Sequence, residues 1–205
     1  MRLWENRYAR DLRRLQLAWR LFAHEARTDT IANMTGLTPR QIRSLYRAYA
    51  AQGACRVRRH RGSAPKLVHY FLSTPQRQVE AAAFASWCAL LGLIQPHPKS
   101  NVQCTTHDIQ QAEDLCSTFE LYCAFLPASQ RSQLSIEHVI LLVDALNCGE
   151  ELQLKSCERC SSDMVVERSV APQRLCIFCR RNRCSHVPER LQTTAILTRI
   201  HQFHS

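Results

Sequence analysis

The stretch Thr28-Asp-Thr-Ile-Ala-Asn-Met-Thr-Gly36-Leu-Thr-Pro39-Arg-Gln-Ile-Arg-Ser-Leu-Tyr-Arg47 decides how the N-terminal part of this chain folds. Asp29 to Met34 reads as a short helix stopped by Gly36, and Pro39 to about Tyr49 as a second helix. Thr38 stands at the capping position of the second helix, Pro39 suits its first turn, and Gln41 completes capping-box spacing. Two helices packed across a tight turn need a small residue in the first, a glycine at the turn and an apolar underside in the second. Ala32, Gly36, Ile42 and Leu45 meet those needs, with Ile31 and Leu37 as further buried positions. The spacing is that of a helix-turn-helix, and a hairpin used only for packing shares it. The outward positions Arg40, Gln41, Arg43, Ser44 and Arg47 are donors suited to base edges or phosphates, with no acidic residue among them.

Charge supports an anionic partner for this end of the molecule. Residues 1–66 hold 15 Lys/Arg against 4 Asp/Glu, a net +11, whereas residues 67–156 carry a net −5 and residues 157–205 a net +4. Within the basic third, Arg56, Arg58, Arg59, His60, Arg61 and Lys66 crowd around Gly62 and Pro65 without an apolar period, as expected of an arm or linker. Beside a helix-turn-helix such an arm favours phosphate contact.

Upstream, Tyr8, Leu12, Leu15, Trp19 and Phe22 recur every three or four residues and predict an amphipathic helix over about 5–27, with a largely arginine outer face. Downstream, Val79, Ala83, Trp87, Leu90 and Ile94 predict a central helix, and a loop with Pro96 and Pro98 follows. Ile109, Ala112, Leu115, Phe119 and Tyr122 predict the next helix; Ile136, Val139, Ile140, Val143 and Leu146 another, stopped near Gly149. From Leu152 the pattern turns to short apolar pieces at 152–154, 164–166 and 175–178, suited to small strands or knuckles. Pro188 then opens a weak terminal helix sharing Leu191, Ala195 and Thr198 on a face.

The expected architecture is therefore mostly α: a helical bundle with an N-terminal helix-turn-helix-like unit and a small C-terminal four-cysteine zinc module. Its parts are a DNA-binding region at 1–54, a basic arm at 55–76, a helical core and partner region at 77–151, the zinc module at 152–187 and a terminal helix or tail at 188–205. Apolar residues make up 45% of the 205, too many for a disordered chain, and 5 Gly and 8 Pro are too few for a collagen-like repeat. The longest apolar stretch, Ala81 to Ile94, is interrupted by Ser86 and Gly92 and falls short of a membrane span. The charged N-terminus does not read as a signal peptide, so a cytoplasmic location is expected.

Eleven cysteines in such a chain call for metal or burial rather than a disulfide framework. Cys157-Glu-Arg-Cys160 and Cys176-Ile-Phe-Cys179, separated by 15 residues, form two pairs whose thiolates at i and i+3 can each grip half of a tetrahedral ion. One structural zinc per chain, held by Cys157, Cys160, Cys176 and Cys179, is the expected cofactor; a redox dithiol would need only one such pair. Cys184 and His186 lie close by without a required role. Cys88, Cys104, Cys116, Cys123 and Cys148 have no ligand-like spacing and read as small buried hydrophobes, and Cys55 has no clear reading. Closed four-sulfur coordination leaves no position for substrate. His24-Glu25 lacks the second histidine of a His-Glu-x-x-His helix, no His-x-Glu accompanies the cysteine pairs, and no glycine-rich phosphate loop occurs, so no enzymatic activity is expected.

Together these features resemble the FlhC family, the C subunit of the bacterial flagellar master transcription activator. The resemblance runs from about Ala9 to Arg181. It rests on Leu45-Tyr46-Arg47, on Arg61-Gly62-Ser63 followed by Pro65-Lys66, on the Trp87 helix, and most specifically on Leu152-Gln153-Leu154-x-Ser156-Cys157-x-x-Cys160 with Cys176-x-x-Cys179. It implies a zinc-containing DNA-binding subunit that assembles with a smaller D subunit as a heterohexamer, binds promoter DNA and recruits RNA polymerase. The zinc ligands it implies are the same four cysteines. Similar C-type activators also control transfer genes on conjugative elements. A non-enzymatic zinc-dependent module that binds RNA or protein is the other reading of the residues.

Overall fold

The computed structural model describes residues 2–51, 60, 62–94, 108–126, 132–169 and 173–181. The expected mostly helical fold is what it shows. Helices α1 (Arg2–Ala23), α2 (Thr28–Thr35), α3 (Pro39–Ala51), α4 (Pro75–Leu90), α5 (Ile109–Phe125) and α6 (Ile136–Cys148) precede a hairpin of β1 (Leu152–Ser156) and β2 (Asp163–Glu167) and a one-turn α7 (Ile177–Arg180). A 3-10 turn, Val68–Leu72, leads into α4. None of the described helices is long and apolar enough to cross a membrane.

The caps written into the sequence set these boundaries. Gly36, at φ +69°, closes α2 by donating its N–H to Ala32 O at 2.8 Å, a left-handed conformation that costs glycine nothing. Thr38 and Gln41 then form the expected reciprocal cap: the Gln41 N–H donates to Thr38 Oγ1 (3.3 Å), while the Thr38 N–H donates to Gln41 Oε1 (2.9 Å). Ser135 and His138 cap α6 in the same way, and Gly149 closes it at φ +66°.

One continuous core joins the N-terminal helices to the body. It runs from Leu17, Leu21 and Phe22 of α1 through Ile31, Met34 and Ile42, past Phe84, Leu115 and Leu142, to Leu152 and Val165 of the hairpin. Phe22 meets Tyr46 edge-on at 5.5 Å, which seats α3 on α1. Arg13 pairs with Glu113 and Arg20 with Glu120, both one hundred residues apart, so α1 and α5 run in the same direction with their ion pairs two turns apart. His24 Nε2 also reaches Glu120 Oε1 at 3.1 Å. Part of the N-terminal positive charge is thus neutralised internally by the acidic middle. Although burial opposes ionisation of Glu120, hydrogen bonds from Arg20 and His24 outweigh it and hold the carboxyl below its ordinary range.

Several expectations need correction. The stripe Tyr8, Leu12, Leu15, Trp19, Phe22 is not the buried face of α1: Leu17, Ala18, Leu21 and Phe22 are buried, while Tyr8 and Leu12 are exposed. In α4 the buried residues are Ala81, Phe84, Ala85 and Cys88; Ala83 and Leu90 face outward and Val79 and Trp87 are only half-buried. Both helices carry two partly apolar faces, and their neighbours choose between them. Of the two forms expected for 175–178, strand or knuckle, it takes the knuckle: Cys176 caps the one-turn α7. Cys88 and Cys116 are buried as expected, and burial pushes both thiols up to about 12. Cys123 is exposed instead, and Cys148 is disulfide-bonded. Cys55, Cys104, Cys184, His186, the proline-containing loop at 96–98 and the terminal helix from Pro188 lie outside the described residues.

Candidate functional site

The hairpin exists to carry the first cysteine pair. β1 and β2 are antiparallel, Leu152 facing Glu167 and Ser156 facing Asp163, and their connection is the Cys157–Ser162 knuckle. The Cys157 N–H donates to Ser162 O and the Ser161 N–H to Cys157 O, both at 2.9 Å, with Ser161 in the left-handed region at φ +57°. Asp163 anchors the base of this turn to the body, accepting from Ser86 of α4 at 2.8 Å. The second pair sits on α7. Cys176 is its N-cap, its sulfur accepting from the Cys179 N–H at 3.4 Å, and the Glu158 N–H donates to Arg174 O (3.0 Å) to hold the two knuckles together.

The four expected sulfurs converge. Cys157, Cys160, Cys176 and Cys179 place their Sγ atoms within 4.8 Å of one another, with Cys160 and Cys176 at 3.6 Å. A tetrahedral site with zinc–sulfur bonds of about 2.3 Å has edges of about 3.8 Å, so the spacing suits a metal of that size. Three of the four cysteines are buried and Cys160 is half-buried, which shields the centre from solvent. Met164, Val166 and Leu175 pack around it as a satellite core.

The local electrostatics favour thiolate. Burial resists ionisation of Cys157, yet backbone N–H groups of Cys176, Cys160 and Arg159 bring its thiol down to about 6. Hydrogen bonding with Ser162 lowers Cys160, whereas burial raises Cys176. The Cys176 N–H donates to Cys157 Sγ at 3.2 Å, the kind of contact that orients a ligand sulfur. Four sulfurs could hold one ion and would leave it no vacant position, so a metal bound there would add its binding free energy to the folding of the hairpin and α7.

The second candidate surface is the outer face of α3. Arg40, Arg43, Ser44 and Arg47 are all exposed and have no hydrogen-bond or ion-pair partner among the described residues. They stand opposite Ile42, which is 1% exposed, and the partly buried Leu45 and Tyr46. Gln41 is exposed too, but its carbonyl oxygen is engaged by the Thr38 cap, so only its amide N–H groups are free to face outward. Of the expected arm, Lys66 is exposed, and Arg56, Arg58, Arg59 and Arg61 lie outside the described residues. His60 reaches back to Glu25 Oε2 at 2.9 Å, which ties that residue to the corner between α1 and α2.

One positioning residue carries no motif at all. Glu137, in the first turn of α6, accepts from the Arg27 N–H (2.7 Å), from Thr30 Oγ1 (3.0 Å) and from the Arg27 guanidinium. The carboxylate thereby closes the N-terminus of α2 from another helix. Nothing within the local sequence of α2 signals it, because the partner is 110 residues away.

The chain matches no protein-family model and no curated protein sequence.

Proposed function

We propose that this chain is a zinc-containing DNA-binding subunit of a bacterial transcription activator similar to the FlhC family. The observation that carries the reading is the unpaired row Arg40, Arg43 and Arg47 on α3, a helix fixed by its cap and by Ile42 with its donors turned outward. Arg13, Arg20 and Arg27 are engaged by glutamates, whereas the α3 arginines have no such partner among the described residues and are charge available to a ligand. Guanidinium groups in that setting suit guanine edges and phosphates. Arg56, Arg58, Arg59, Arg61 and Lys66 extend the contact along the backbone. One zinc per chain, on Cys157, Cys160, Cys176 and Cys179, stiffens the C-terminal module without reacting.

By the same resemblance, promoter DNA is bound together with a smaller D-type subunit as a heterohexamer, RNA polymerase is recruited, and the complex works in the cytoplasm. Flagellar genes are its first expected targets, and conjugative-transfer genes the alternative. The test is a gel shift of the zinc-loaded chain, with a D-type partner co-expressed from a neighbouring gene, on promoter fragments and on unrelated RNA. Retarded promoter DNA with little RNA binding supports the reading. Equal affinity for both would instead favour a general RNA- or protein-binding module, and no retardation at low salt would remove DNA binding altogether.

A further inference from the structure

α1 changes character along one face. Its lower half buries Leu17, Ala18 and Leu21, and the same stripe continues toward the N-terminus as Arg14, Arg10 and Arg7. These three arginines fall within about 60° of one another around the helix. Arg14 fixes where the stripe points. Its Nε is buried, and its guanidinium lies 3.8 Å from the position a side chain at Gly36 would take, directly over the turn between α2 and α3. Asp11 forms an ion pair with Arg14 at 3.6 Å and is the stripe's local acidic neighbour. Arg7 and Arg10 are exposed, with no hydrogen-bond or ion-pair partner among the described residues.

Arg13 and Arg20 leave the helix on a different side, toward Glu113 and Glu120 of α5. Among the described arginines of α1, Arg13 and Arg20 are thus engaged by the body and Arg14 by Asp11, whereas Arg7 and Arg10 continue the stripe on the side of the α2–α3 turn without a partner among the described residues. Unpaired guanidinium groups one turn apart on an exposed helix match the spacing of successive phosphates better than any single ligand.

We infer that Arg7 and Arg10 form a second phosphate-contacting site, by which the exposed N-terminal half of α1 clamps the duplex backbone beside the α3 arginines. The inference rests on the DNA-binding reading above and enlarges its footprint. Contacts of this kind position without reading sequence, so their loss weakens binding to all duplexes alike.

The test uses the full zinc-loaded chain and fluorescence polarisation with a mixed-sequence DNA duplex of about three helical turns, titrated from about 50 to 200 mM KCl. The double variant Arg7→Gln/Arg10→Gln is compared with wild type and with Arg40→Gln/Arg43→Gln/Arg47→Gln, after thermal melts confirm that each is folded. The α1 variant is expected to bind about tenfold more weakly at the upper end of that range and to reduce the salt slope by about two. A wild-type slope and affinity in the α1 variant, alongside weakened binding in the α3 variant, would overturn the α1 site alone. Failure of the wild-type chain to bind the duplex would overturn it together with the DNA-binding reading.

Discussion

Glu137 of α6 holds Arg27 by both its backbone N–H, at 2.7 Å, and its guanidinium, and so docks the helix-turn-helix-like unit onto the helical body. The carboxylate side chain is only 3% exposed. Its desolvation is offset by three donors and by the positive end of α2. Glu137→Ala would leave the Arg27 N–H and Thr30 hydroxyl without their acceptor and is expected to cost about 3 kcal/mol. Urea unfolding checks this, and Glu137→Gln, which retains an acceptor oxygen, should lose less.

Gly36 gives a local test of the same unit. A Cβ there meets only the Arg14 guanidinium at ordinary contact distance, so space is not the constraint. The left-handed backbone is. Gly36→Ala should destabilise the protein by about 1 kcal/mol, and Gly36→Asn by less, because asparagine tolerates that conformation better. Thermal melts of the two variants supply the comparison; equal losses would point to packing instead.

His138 predicts a pH dependence. Burial lowers its pKa from the ordinary 6.5, helped by the charges of Arg77 and Arg27. The ring stacks on Tyr70 at 4.0 Å, and its Nδ1 accepts from the Ser135 N–H at 3.3 Å, which requires an unprotonated nitrogen. Since the folded pKa lies below the unfolded one, this contribution is present above about pH 6.5 and is lost as pH falls through the folded value. Between about pH 7.5 and 5.5 the melting temperature should fall more steeply for wild type than for His138→Asn. Identical slopes would remove His138 as the source.

How much of this could be read from the chain depended on how local the information was. The turn at Gly36, the Thr38–Gln41 cap and the Cys157/Cys160 and Cys176/Cys179 pairs are each contained within a few residues, and the structure builds them as their spacing implies. In α1 and α4 periodicity finds an apolar stripe but not which of two stripes meets a neighbour, so it points away from the face that is buried. Tyr8 and Leu12 form a good stripe that is exposed among the described residues, while Leu17 and Leu21 fill the core. Glu137 was invisible for a different reason: a lone glutamate at the start of a helix looks like a dipole partner, and only the tertiary fold brings Arg27 to it. The exposed Cys123 and the disulfide-bonded Cys148 likewise depend on packing that composition does not reveal.

Arg43 offers the sharpest test of base reading. It is exposed at the centre of the α3 row, away from the Ile42 core contact. Arg43→Ala should leave the melting temperature unchanged and weaken binding to the preferred promoter by about 1 to 3 kcal/mol, with relaxed discrimination against altered sites. A uniform small loss on every duplex would reassign it to phosphate.

The metal centre is tested most directly by native mass spectrometry of the chain purified without added metal. Four sulfurs within 4.8 Å of each other predict the mass of the reduced pairs plus a single zinc ion, displaced by a strong chelator with loss of the hairpin signal and absent from Cys157→Ser. A metal-free mass with these cysteines joined as disulfides, or a Cys157→Ser protein that keeps its full zinc content and melting curve, would contradict the account.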